Sequence, residues 1–116
     1  MDVALITSEH EGVPVVSVTG EVDLATVPRF REELLRFVVD HPGCAIVIDL
    51  DGVGSLDDTA IGVLLGARRR MRATGGNVHL VVSDGRLLAL LHATGVDMLL
   101  PIHATLSAAM GVIRVG

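Results

Sequence analysis

Ala45-Ile46-Val47-Ile48 is an unbroken apolar run that closes on Asp49. A run this short, rich in β-branched residues and preceded by His41-Pro42-Gly43, reads as a strand buried on both faces. Such a strand needs a layer above it and a layer below it, and the flanking sequence supplies helices. Within Leu24–His41, Val27, Phe30, Leu34 and Val38 recur at helical spacing, and Arg29, Glu32, Glu33 and Arg36 lie mostly opposite. Pro28 is tolerated only in a first turn, so this helix starts near Thr26. A second helix runs from about Asp58 to Ala73 and stops at Thr74-Gly75-Gly76. Val78–Val82 reads as another buried strand, Arg86–Ala93 as a helix ended by Gly95, Met98–Ile102 as a short strand and Thr105–Val112 as a last helix. Ahead of these, Val3–Thr7 and Pro14–Thr19 read as strands separated by His10-Glu11-Gly12, an antiparallel hairpin. The order β β α β α β α β α predicts one α/β domain over residues 1–116. Its sheet is mixed, with about five strands, antiparallel in the opening hairpin and largely parallel after it, packed with about four helices.

Composition removes several function classes. With 116 residues, half of them apolar, the chain is long enough for a core. No apolar stretch approaches the ~20 residues of a membrane helix, and MDVALITSEHEG has an acid at Asp2 and no basic flank, unlike a secretory signal. A cytoplasmic protein with no membrane insertion is the expectation. The net charge of −5 argues against direct DNA binding. The nine basic residues are all Arg, and the only aromatic residues are Phe30 and Phe37, so platforms for stacking bases or sugars are absent. Cys44 is alone and sits before an apolar run, as a small buried hydrophobe would. The five His residues show no metal-ligand spacing, and no cofactor is expected.

In sheets of this kind, sites gather at the carboxyl ends of parallel strands. There the chain places Asp49-Leu50-Asp51-Gly52-Val53-Gly54-Ser55-Leu56-Asp57-Asp58-Thr59, with four acids and then a helix start. Three readings compete. Asp49-x-Asp51-Gly52-Val53 resembles the nucleophile motif of haloacid-dehalogenase-type phosphatases, with Leu80–Ser83 in the place of a second motif. That chemistry calls for a Lys, which the chain lacks, and for a late acidic pair, whereas only Asp97 follows Asp84. The second reading is a phosphorylation switch: Asp58 caps the helix and Thr59 is its first residue. A phosphate on Thr59 gains at most ~2 kcal/mol from the helix N-terminus. Asp57 and Asp58 oppose it by ~3 kcal/mol at ~6 Å and an effective dielectric of ~20, before salt screening. The terms nearly cancel, so the effect falls on a docked partner rather than on the fold. The third reading is ordinary capping and turn chemistry.

Gly20-Glu21-Val22-Asp23, Asp49-Leu50-Asp51-Gly52-Val53, Asp57-Asp58-Thr59-Ala60-Ile61-Gly62, the Gly75–Val82 strand and Thr94-Gly95-Val96 with Ala104-Thr105 and Ala108 form an ordered set. Together they resemble a STAS domain of the anti-sigma factor antagonist (anti-anti-sigma factor) type over nearly the whole chain. The family patterns are Gly-Glu-Leu-Asp, Asp-Leu-Ser-Gly-Val and Asp-Ser-Ser-Gly-Leu-Gly. The resemblance implies no enzyme. It implies a module that, unphosphorylated, captures an anti-sigma factor with serine/threonine kinase activity and frees a sigma factor, and that a phosphatase resets. By position the acceptor is Thr59, and Asp57 matches the family Asp. Asp58 stands for the family's first Ser and Ala60 for its Gly. The implied partner-binding residues are Asp23, Asp57, Asp58, Thr59, Ala60 and Ile61. A STAS module of a phospholipid-transport complex, docking a transporter ATPase without a phospho-switch, is the alternative.

Two features have plainer readings. Arg68, Arg69, Arg70 and Arg72 suit the negative end of the second helix and a solvated face. Gly62-x-x-x-Gly66 reads as a place where that helix packs closely on a neighbour.

Overall fold

The computed structural model describes residues 2–115; Met1 and Gly116, the ends of the expected domain, lie outside them. The hairpin forms first: β1 (Ala4–His10) and β2 (Val13–Val22) pair antiparallel around a turn in which Glu11 and Gly12 both have positive φ. Then follow α1 (Val27–Val39), β3 (Ala45–Leu56), α2 (Asp58–Ala73), β4 (Asn77–Val81), α3 (Gly85–Ala93), β5 (Ile102–His103) and α4 (Leu106–Val115). The sheet has five strands in the order β1-β2-β3-β4-β5, and every pairing after the hairpin is parallel. The expected architecture and element order are those observed.

Strand alternation divides the core in two. Val16, Val18, Ile46, Ile48, Leu50, Val78 and Leu80 pack against Phe30 and Leu34 of α1, Leu64 and Met71 of α2, and Leu87 and Leu91 of α3. On the other side Val13, Val15, Val47 and Val81 meet only Ala109 and Met110 of α4, with Leu106 and Ile113 at the margin.

Two strand expectations are corrected. Met98–Ile102 is not a strand: Val96–Met98 is a short 3₁₀ turn, and β5 is only Ile102–His103. Met98 is largely exposed, and Pro101 lacks the N–H a ladder needs. The second correction concerns β3, which continues eight residues past Ile48 to Leu56. Its register against β2 slips twice, between Ser17 and Thr19 and between Gly20 and Glu21, each time adding a residue to β3. These bulges set Leu50, Val53 and Leu56 inward at a spacing of three, which neither strand nor helix periodicity reveals. Gly52 is required here: a Cβ would come within 2.7 Å of the Thr19 methyl and 3.0 Å of the Val18 carbonyl oxygen. Gly20 opposite has φ +93, and a side chain there would run into the Asp2 carbonyl.

Candidate functional site

The extension of β3 carries the chain to the start of α2, where the capping chemistry concentrates. Asp57, not Asp58, is the N-cap. Its backbone is extended (φ −72, ψ 153), and its carboxylate Oδ2 accepts from the Thr59 N–H at 2.9 Å and the Thr59 hydroxyl at 2.5 Å. These bonds, from the hydroxyl first and the amide second, hold the Asp57 carboxyl below its ordinary pKa. The cap belongs to the last extended residue, whose side chain reaches forward over the first turn; Asp58 is already helical. Thr59 is therefore the second helical residue and exposed. Asp58, also exposed, adds its charge to the same turn.

The end of β2 is tied to this cap, because the Asp57 N–H donates to the Val22 carbonyl at 2.7 Å. That bond sets the turn after β2 beside α2. Asp23 does not cap α1 itself, whose N-cap position is Thr26. Its carboxylate accepts from the Ala25 and Thr26 N–H groups, both at 3.0 Å. The Thr26 hydroxyl is buried, donates to the Glu21 carbonyl at 2.7 Å and accepts from the Asp23 N–H at 2.9 Å. Asp23, Asp57, Asp58 and Thr59 thus share one end of the molecule. Ala60 is fully buried and Ile61 8% exposed, because their face of α2 turns into the core. They support the exposed turn from below.

The sequence reading missed Glu21 and Ser55, which lie on the same rim and are hydrogen-bonded to each other. Glu21 stands inside the Gly20–Asp23 motif, but the Ser55 partnership depends on the second bulge. Asp49 and Asp51 serve the backbone. Asp49 accepts from the Asp51 N–H at 3.0 Å, and Asp51 accepts from the Ser83 N–H at 2.7 Å and the Ser83 hydroxyl at 3.0 Å. Among the described residues no three His, Cys, Asp or Glu converge as metal ligands.

From Thr59 a trough of about 450 Å³ runs between α2 and α1. Leu34, Leu35, Val63 and Ala67 contribute apolar surface; Arg31, Arg69 and Arg70 also line it. Gly62 and Gly66 lie along it, and a Cβ at either would meet no atom within 4 Å. They do not serve close helix packing, although each costs the helix about 1 kcal/mol relative to Ala.

A family model described as the STAS domain matches residues 4–109. The chain belongs to the STAS domain family. Among its relatives, the anti-sigma-F factor antagonist RsfB of Mycobacterium tuberculosis is 30% identical over 116 residues, covering 98% of this chain and 92% of that one. The crystal structure of an anti-sigma factor antagonist from Mycobacterium paratuberculosis superposes with a TM-score of 0.87 at 30% identity, covering 97% of this chain and 94% of that one. The anti-sigma factor antagonist SpoIIAA in its unphosphorylated form gives a TM-score of 0.77 at 19% identity, with 96% of each chain covered; there the likeness is one of fold. In this STAS domain Thr59 is exposed at the start of α2. No described helix is long and apolar enough to cross a membrane.

Proposed function

We propose that this STAS domain is an anti-sigma factor antagonist whose binding face is the rim formed by Asp23, Asp57, Asp58 and Thr59. Unphosphorylated, it captures an anti-sigma factor that is also a serine/threonine kinase, and a sigma factor is released. Phosphorylation of Thr59 by that kinase ends the capture, and a phosphatase restores it. The reading is carried by the Thr59 hydroxyl, which is exposed and held at 2.5 Å from the Asp57 carboxylate. The names of the relatives agree with it: they are antagonists of anti-sigma-F and anti-sigma-B factors.

The electrostatics favour a change in binding over a change in fold. A phosphate would bring about −1.5 to −2 charges to a turn that already carries Asp57 and Asp58. The Thr59 hydroxyl and amide now both donate to Asp57, so the phosphate gives up the hydroxyl donor and meets a carboxylate. The exposed turn keeps that group in water, where screening limits the cost to the domain.

The test is paired affinity capture from host lysate with wild type and Thr59→Glu as baits, followed by affinity measurement on the recovered partner. Thr59→Glu is expected to weaken anti-sigma binding about tenfold or more, ~1.4 kcal/mol, with little change in melting temperature. Incubation of the recovered kinase with ATP is expected to add one phosphate to wild type and none to Thr59→Ala. A transporter ATPase in place of an anti-sigma factor, or equal affinity of both baits, overturns the reading.

A further inference from the structure

The trough between α1 and α2 is a feature of the surface that the capping site leaves unexplained. Arg31, Arg69 and Arg70 line it, and among the described residues none of the three forms an ion pair. By contrast, Arg29 and Arg36 on α1 pair with Glu33 and Glu32 of their own helix. Three unpaired guanidinium groups beside one apolar channel are a marked local excess in a chain of net charge −5. Thr59 stands at one end of the channel and Arg70 eleven positions along α2 at the other, about 16 Å at 1.5 Å per residue. That length matches three turns of a second helix. Half-buried Leu35 and Val63 offer contacts to its apolar stripe, and Gly62 and Gly66 leave room for its approach.

We infer that this trough docks an amphipathic helix of a partner protein, apolar on one side and flanked by Asp or Glu that pair with Arg31, Arg69 and Arg70. The charge complementarity excludes a basic occupant, and the small residues set the depth. The inference rests on the antagonist reading only for which protein carries the helix. It also gives the Thr59 switch a second point of action, since a phosphate there would stand at the mouth of the trough and repel an acidic occupant.

The test is an NMR titration of the labelled protein with two synthetic peptides of about 18 residues, long enough to hold a helix. Both carry the same Leu stripe; one is flanked by Glu and the other by Lys. The Glu peptide is expected to shift the Thr59, Gly62, Val63, Gly66 and Arg70 amides and to bind more weakly at ~300 mM than at ~50 mM salt. The double variant R69E/R70E, at exposed positions, is expected to bind it at least about fivefold more weakly, with Arg69→Lys/Arg70→Lys restoring most of the affinity. An unchanged spectrum, shifts scattered over the molecule or equal binding of the Lys peptide overturns the inference. So do the same shifts on raising protein concentration alone, which assign the trough to a second copy. Failure here with an anti-sigma factor still captured removes the trough proposal alone; the converse removes only the antagonist reading.

Discussion

The two faces of the sheet are built differently. One is covered by α1, α2 and α3 and shares with them a continuous apolar core that includes Phe30, Leu34, Ile46, Ile48, Leu64, Met71 and Leu80. The other is covered by α4 alone, over a six-residue cluster whose largest member is Met110. That second face also holds His79, which is buried and alternates with Val78 and Leu80. His79 Nδ1 lies 3.0 Å from His103 Nε2, and the two rings are stacked. The side that bears Thr59 and the trough is therefore a rigid platform anchored by large side chains. The α4 side closes the domain with little apolar area and a polar pair within it. A binding face gains from such rigidity, because its groups are already in place when a partner arrives.

The largest effect expected from this contrast is in Phe30→Ala. Phe30 is fully buried, so its loss should destabilise the domain by about 3–5 kcal/mol in urea unfolding. Met110→Ala on the opposite face should cost about 2 kcal/mol at most, since α4 lies over a small cluster and can settle into the gap. Equal costs would break the comparison.

Next in size is a pH effect confined to the α4 side. Burial, the larger cause, and the neighbouring His103 charge hold the His79 pKa below its ordinary value; burial does the same to His103. The folded state thus takes up these protons less readily than the unfolded chain. The stability this confers is present above the ordinary His pKa of about 6.5 and is lost as pH falls below it. The urea midpoint should fall between about pH 7 and pH 5, and His79→Gln should flatten that fall. An unchanged slope in the variant would assign the pH dependence to other groups. The smallest effect is expected from Arg114→Ala, which removes the surface ion pair tying α4 to Glu11 in the hairpin turn. It should cost no more than about 0.5 kcal/mol, and most of that should vanish in high salt.

Much of this architecture was legible in the chain, for identifiable reasons. The periodicity of Val27, Phe30, Leu34 and Val38, the run Ala45–Ile48 and the breaks at Gly43 and Gly75-Gly76 are local signals, and each marks the element it should. The motif residues Asp23, Asp57, Asp58 and Thr59 were legible too, and the bond from Asp57 to Val22 brings their two segments to one rim.

What the sequence by itself determined is the order of strands and helices, the side that α1 buries and the residues at the tip of α2, because apolar spacing and capping act within a few residues. Only the tertiary structure decided that β3 continues through its glycines and acids to Leu56. Bulged pairing depends on β2 alongside it and has no period of its own. Only the tertiary structure turned Ala60 and Ile61 into the core and brought Arg31 of α1 to the same trough as Arg69 and Arg70 of α2. Such convergence joins residues nearly forty positions apart, through the packing of two helices on a shared sheet.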